Sequence, residues 1–256
     1  MPNTALITGA SAGIGREFAR YHASKGGDLI ITARRSAALD ALKTELETAH
    51  GITVTTFAQD LSSANHAKTL YAAINGVRID VLINNAGFGG HGKFVERDLD
   101  ADLGMIDLNI NAMVTLCHLI GNDMVKQGSG KILNVSSTAA RMPGPLQATY
   151  FASKAFVSSF SQAVAEELKD TGVTVTVLEP GPVATEFFDT ANLSGTKLGD
   201  GSADASAVAK TGYDAMLAGK YTVINDFKLR VMLDWIMPLL PTKTKLKLIR
   251  DMHEKA

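Results

Sequence analysis

Tyr150 and Lys154 stand four residues apart in TYFASKAF, Thr149 to Phe156, with Ser153 between them. Positions i and i+4 share one face of a helix, so a phenol and an amine would lie side by side. A free phenol titrates near ~10. It exchanges protons near neutrality only if its anion is stabilised, and a neighbouring lysine cation can do that. Taken alone, the pair reads equally as a surface phenol and a surface amine. Other parts of the chain must supply a reason for proton transfer.

One such part is TGASAGIG, Thr8 to Gly15, which follows the apolar run TALIT. Gly9, Gly13 and Gly15 allow a tight turn and a close approach of main chain to a pyrophosphate, with Ser11 and Ile14 in the same loop. The helix that follows offers unpaired N–H groups and its positive dipole end. A glycine pattern alone also fits a ligand-free turn, but its place between a strand and an amphipathic helix favours a nucleotide. No Gly-Lys-Ser/Thr follows, which argues against a P-loop.

The second apolar run ends ITARRS. Where an NAD site often carries an acid for the ribose hydroxyls, this chain has Ala33, Arg34 and Arg35. A guanidinium can bond a 2′-phosphate that an acid would repel, so NADP(H) is expected over NAD(H). The alternative is two solvated charges at a helix start. In QDL, Asp60, with Leu61 beside it, could accept from an adenine amino group or cap a helix beginning near Ser62. In NNAG, Asn84 to Gly87, side chains such as that of Asn85 can tie neighbouring loops, while Ala86 and Gly87 keep a cofactor wall thin.

These stretches need a scaffold. Strands are expected at 4–8, 29–33, 53–58, 81–85, 132–137 and 174–180, with YTVI at 221–224 as a last one. They are nearly continuous in apolar or β-branched residues, as buried parallel strands are. Helices are expected at about 13–25, 37–49, 63–74, 99–127 and 149–171. The alternation implies a doubly wound, Rossmann-type α/β fold, a parallel sheet of about seven strands with helices on both faces. Every motif above falls at a strand's carboxyl end or just after it, where such sheets bind ligands. Repeats and linkers are not evident, so one domain over 1–256 is expected.

Bulk properties narrow the function. The net charge of −1 leaves no basic footprint for nucleic acid. The one cysteine, Cys117, forbids an intrachain disulfide and suits a reducing compartment; in an apolar helical stretch it reads as a structural thiol. Zinc spacing is absent from the His and Cys residues. The N-terminus enters a strand without a basic region or leader-like apolar stretch, and no uninterrupted apolar run reaches ~18 residues. The expectation is a soluble, cytoplasmic protein.

Over residues 3–190 the sequence resembles the short-chain dehydrogenase/reductase family. Six ordered motifs carry the likeness: TGASAGIG, NNAG, IDLNINA, the SS ending strand five, YFASK and PGPVAT. TARR looks like the NADP(H)-preferring branch, and FGGHGKF with the long tail is similar to 3-oxoacyl and hydroxysteroid-type reductases. The resemblance implies a catalytic set of Asn109, Ser137, Tyr150 and Lys154. It selects Ser137 over Ser136, because the family serine lies thirteen positions before the tyrosine, and Asn109 over Asn111 through its D-x-N match. It further implies that Pro180, Gly181, Val183 and Thr185 embrace the nicotinamide, and that Lys154 also bonds the nicotinamide ribose. Ala12 departs from members with a basic residue there, which leaves the 2′-phosphate mainly to Arg34, with Arg35 as a helper.

In this scheme Tyr150 gives the proton, Ser137 polarises the carbonyl and Asn109 holds a water near Lys154. The same groups serve alcohol oxidation, so an NADP-dependent alcohol dehydrogenase is an alternative. A non-enzymatic NADP(H) sensor would not need the intact set. Three segments should flank a small carbonyl or alcohol substrate: GFGGHGKF, TAARMPGPLQAT and a lid near 186–202. Phe187, Phe188, Leu193 and Leu198 in the lid favour an apolar or acyl compound over a sugar, whereas His91 in the first loop reads as structural. The tail near 226–256 is apolar, then basic. Packing or homo-oligomerisation, as a dimer or tetramer, is expected of it; membrane contact is the lesser alternative, because Pro238 and Pro241 interrupt a long interfacial helix.

Overall fold

Successive strand residues point to opposite faces of a sheet, so strands apolar at every position demand cover on both sides. In the computed structural model, which describes residues 3–63, 65–196 and 202–254, both faces are covered. Ala5 and Ile7 of β1 (Thr4–Thr8) enter one core, while Leu6 enters another. Leu29 and Ile31 of β2 (Asp28–Ala33) alternate in the same way with Ile30.

The first core lies under α1 (Gly13–Ala23) and α2 (Ser36–His50), which contribute Phe18, Leu39, Leu42 and Leu46. After β3 (Val54–Ala58) come α3 (His66–Ala73) and β4 (Val81–Asn84). The next helix is continuous over Leu99–Gln127, as expected, but its winding changes on the way: α4 (Leu99–Ile106) and α5 (Met113–Gln127) are joined by a π-turn over Asp107–Ala112. The stretch Leu99–Gln127 is long and apolar enough by composition to cross a membrane, but Leu116, Ile120 and Met124 are buried in the second core. β5 (Gly130–Val135), α6 (Ala148–Glu167) and β6 (Val173–Leu178) follow.

A short α7 (Phe187–Thr190) precedes α8 (Ala205–Leu217), a helix that the sequence reading did not anticipate. Asp204 caps α8 by accepting from Ala207 N, and Val208, Tyr213 and Met216 are buried in the first core. Tyr213 Oη lies 2.7 Å from His22 Nδ1 on α1. Then come β7 (Thr222–Val223), α9 (Phe227–Val231) and α10 (Thr242–His253). The helical path between the last two continues through a π-turn at Met232–Ile236 and a tight turn at Met237–Leu239.

The sheet is parallel in the order β3-β2-β1-β4-β5-β6-β7. The chain order reverses between β1 and β4, and that switch point fixes where a ligand crevice opens. The expected helix near Ser62 begins instead at His66. Asp60 accepts from Ser62 N and Oγ at 3.0 and 2.7 Å and so builds a turn ahead of it. Leu198, one of the expected lid anchors, lies outside the described residues, as does the end of the tail at 255–256.

Candidate active site

A cleft of about 700 Å³ opens at the carboxyl ends of β1, β2, β4, β5 and β6. Gly9, Ser11, Gly13 and Ile14 line one end, with Arg34, Arg35, Asp60, Leu61, Asn85, Ala86 and Gly87. Pro180, Gly181, Val183 and Thr185 line the middle with Ser137, Tyr150 and Lys154. Gly15 and Asn109 stand behind the wall rather than on it.

The main chain itself builds the first end. Gly13 has φ +53°, a conformation that side chains disfavour, and a Cβ there would sit 3.0 Å from Thr185 Cγ2. A Cβ on Gly15 would fall 2.3 Å from Gly9 O and 2.4 Å from Asn85 Nδ2. Asn85 Nδ2 donates to Thr8 O and Gly9 O at 3.0 and 3.2 Å, and Thr8 Oγ1 accepts from Asn85 N and Ala86 N at 3.0 and 2.9 Å. The two loops are thus held as a bare cradle across the switch point. Ala12 precedes α1 without a side-chain cap, and the first turn has no acidic residue, so the helix's amides are left for an anion. These features fit the pyrophosphate of a dinucleotide.

The two arginines differ. Arg34 is exposed at the rim and makes no ion pair among the described residues. Arg35 pairs with Glu186 at 2.9 Å and reaches Ser11 Oγ at 3.3 Å, so it bridges the glycine loop to the segment before α7. Burial pushes the Asp60 carboxyl up, but the hydrogen bonds from Ser62 and the charges of Arg34 and His66 outweigh it, leaving it below its ordinary value.

The candidate reacting groups converge through α6 and the tip of β5. Tyr150 and Lys154 share one face of α6 and are 9% and 5% exposed. Lys154 Nζ donates to Val135 O at 2.9 Å and lies 5.9 Å from the centre of the Tyr150 ring. Burial brings this amine down to about 8. Burial also pushes the Tyr150 phenol up to about 12, against a weaker downward pull from a hydrogen bond with Ser137. Desolvation sets the direction for the phenol, so the fall expected from Lys154 is not seen here; one of the amine's three N–H groups goes to Val135 O, which leaves two for other partners.

The two serines have parted. Ser136 is buried and donates to Lys154 O at 2.8 Å, whereas Ser137 faces the cleft and accepts from Ala139 N at 3.1 Å. Asn109 sits in the π-turn, 2% exposed. Its Nδ2 donates to Phe88 O and Ser153 Oγ at 3.1 and 3.0 Å, and its Oδ1 accepts from Phe88 N at 3.1 Å. The amide is thus committed to positioning, and a water near Lys154 would need its main chain or the remaining lone pair. Gly87 permits the approach, because a Cβ there would lie 2.9 Å from Asn109 Oδ1 and 3.3 Å from Lys154 Nζ.

Beyond Tyr150 the cleft becomes apolar. Phe187, Phe188 and Leu193 line it, with the Phe187 and Tyr150 rings 5.4 Å apart. The tail closes the far side with Leu229, Leu233, Met237 and Ile249. Two polar ties hold that roof; the first was not anticipated, and the second supplies the partner of His91, which was expected to be structural. Arg141, just past Ser137, donates to the fully buried Glu179 at 2.6 Å and to Asp234 of the tail at 3.2 Å. His91 Nε2 lies 2.8 Å from His253 O, which gives His91 a structural place between loop and tail. The only sequence signals were one arginine in a loop and one acid before PGP.

Cys117 is buried, its thiol pushed up to about 12 by burial and in contact with Asn84 and Asn134. Metal-binding groups of three or more His, Cys, Asp or Glu residues are absent among the described residues.

Residues 3–194 match the family model described as short chain dehydrogenase. A very-long-chain 3-oxoacyl-CoA reductase of Coprinopsis cinerea is 35% identical over 175 residues, 67% of this chain and 52% of that protein. The chain therefore spans about half the length of that relative. A 3-oxoacyl-[acyl-carrier-protein] reductase of Synechocystis is 35% identical over 190 residues, 73% of this chain and 77% of its own length. Among solved structures, a short-chain dehydrogenase from Sphingobium yanoikuyae in complex with NADPH superposes with a TM-score of 0.85 at 28% identity, covering 93% of each chain.

Proposed function

Because the chain belongs to the short-chain dehydrogenase family, we propose that it is an NADPH-dependent reductase that turns the carbonyl of an apolar or acyl-type substrate into an alcohol. One observation carries the reading. A buried phenol, kept protonated by a pKa near 12, faces an apolar chamber beside Ser137 and one helical turn from a lysine.

Bound across the glycine cradle, the cofactor supplies the hydride. Gly9, Ser11, Gly13 and Ile14 would hold its pyrophosphate, Arg34 its 2′-phosphate, and Val183 and Thr185 its nicotinamide. Ser137 donates to the substrate oxygen and polarises the carbonyl. Tyr150 then passes its phenolic proton to the oxygen as negative charge develops there. Lys154 stabilises the phenolate left behind and anchors the nicotinamide ribose, and Asn109 fixes Phe88 and Ser153 around this pair.

The names of the two acyl reductases and the apolar lining support an acyl or similarly apolar substrate. The same groups serve alcohol oxidation, and the choice of reduction rests on the names of the two acyl reductases. Preference for NADP(H) rests on the unpaired Arg34 and on the absence of an acid beside it.

The test is a panel of 3-oxoacyl thioesters, steroid ketones and aryl ketones with NADPH and NADH, run on the natural chain and on Tyr150→Phe. The natural chain should turn over at least one ketone faster with NADPH. Tyr150→Phe should keep NADPH binding and lose about 10²- to 10⁴-fold in kcat. Undiminished turnover in Tyr150→Phe would sink the proposal.

A further inference from the structure

The C-terminal segment is apolar on two faces, and the cleft uses only one. Leu229, Leu233 and Met237 recur every fourth residue and turn inward, the last two only 2% and 3% exposed. Phe227, Val231, Trp235 and Leu239 recur at the same interval, offset by two, and are 76%, 37%, 73% and 84% exposed. A helix on a protein surface normally sets polar residues opposite its core face. This one presents an aromatic and aliphatic stripe. The prolines do interrupt the helical path, as expected, so the stripe is confined to 227–239: Pro238 lies in the tight turn Met237–Leu239, Leu240 is extended, and α10 starts afresh after Pro241. That stretch reaches the mouth of the cleft, since Met232, like Leu248 and Met252 of α10, is both partly exposed and part of the cleft lining.

The charges around the stripe select an occupant. Lys228, Lys243 and Lys247 are exposed and make no ion pair among the described residues. Arg230 lies 3.5 Å from Asp234, and Arg250 pairs with Glu254 at 3.0 Å. Of the acids, Asp226 caps α9 by accepting from Leu229 N, and Asp234 also receives Arg141, which leaves Asp251 as the exposed acid outside these pairs. Protruding apolar side chains flanked by unpaired lysines match an anionic lipid surface, where the former enter the acyl boundary and the latter meet phosphates. A different exposed apolar set, Phe94, Val95, Leu99 and Leu103, is interleaved with Glu96, Asp98 and Asp100, a pattern that anionic lipid repels.

We propose that the outer face of residues 227–252 docks on anionic phospholipid membranes, with the mouth of the cleft at the lipid interface. Docking requires no turnover, so its failure and that of the reductase reading are separable.

Trp235 is the sole tryptophan of the chain and stands in the stripe, so its fluorescence reports on the patch directly. The full chain is titrated with phosphatidylcholine vesicles, with or without phosphatidylserine, and pelleted with them. A blue shift and co-pelleting with the phosphatidylserine vesicles are expected, weak with phosphatidylcholine alone and reversed by salt. The triple variant Lys228→Glu, Lys243→Glu, Lys247→Glu should lose at least about tenfold in vesicle affinity. The double variant Phe227→Ser, Leu239→Ser should lose the blue shift while keeping the thermal midpoint. Absence of any shift with phosphatidylserine vesicles overturns the proposal. So does equal binding by the triple variant, or a shift that grows with protein concentration in the absence of vesicles, which would give the stripe to a second copy.

Discussion

The two ends of the cleft are made of different material. At the end lined by Gly9, Gly13 and Asn85, main chain does the shaping, and side chains are excluded to within tenths of an ångström. At the end lined by Phe187, Leu233, Met237 and Ile249, apolar side chains do the shaping, and several residue types could fill the same volume. A main-chain cradle tolerates few sequences and suits a ligand of fixed chemistry. An apolar chamber tolerates many and suits a substrate whose identity varies among proteins of one fold. Tyr150, Lys154 and Ser137 stand at the boundary.

If the first end is built for one cofactor, changing one charged residue at its rim should alter cofactor choice above all. Arg34 is exposed and makes no ion pair among the described residues, so Arg34→Asp breaks no salt bridge and removes only the charge that helps hold the Asp60 carboxyl low. Losing a charged hydrogen bond and adding repulsion should weaken NADPH binding about 10- to 100-fold, with NADH binding nearly unchanged. Titration of both cofactors at low and high salt checks this, and equal losses for the two would remove Arg34 from the 2′-phosphate. Arg35 is a poorer target, because Arg35→Asp would also break its bridge to Glu186.

That asymmetry also explains what could be read from the sequence. The glycines, NNAG and the Tyr-Lys spacing are legible because main-chain geometry or proton chemistry leaves few substitutes. The strand positions were legible too, since Leu6 and Ile7 must be apolar on opposite faces. Helix α8 was not: ASAVAKTGYDAML follows a Gly/Ser-rich run, and its small residues mute the helical period, although Asp204 marks its start. The π-turn around Asn109 leaves no mark in the hydrophobic pattern. The Arg141–Glu179–Asp234 tie joins residues 38 and 93 positions apart, which no local pattern reveals.

The boundary between the two ends has its own signature in pH. The kcat/KM profile reports groups of the free protein. Lys154, brought down to about 8 by burial, is a cation below that pH and neutral above it. Tyr150, at about 12, stays protonated throughout the practical range. Ketone reduction should therefore be level from pH 6 to about 7.5, bend near 8, and then fall by up to about tenfold per pH unit as the charge that stabilises the phenolate is lost. A profile level to pH 10 would show that the lysine cation is not needed.

The smallest effect expected in turnover is at the apolar end. Leu233 is 2% exposed and packs in the cluster that holds Tyr150, Phe151 and Met237. Leu233→Ala removes buried methyl groups and leaves a cavity open to the chamber, which costs about 2–5 kcal/mol where the surroundings cannot relax. The tail is a peripheral element whose outer face is already bare, so it can settle inward, and the lower end of that range is expected. Thermal unfolding measures this loss. KM for apolar ketones should change only several-fold, and a bulkier substrate should gain relative to a slim one, because the chamber grows. The NADPH dissociation constant should stay within about twofold, since Leu233 is not among the nearest neighbours of Gly9, Gly13, Gly15 or Gly181, and at Gly181 the neighbour is Leu229. A large loss of NADPH affinity in Leu233→Ala would show that the apolar roof also holds the cradle in shape, and the two ends would then be one mechanical unit.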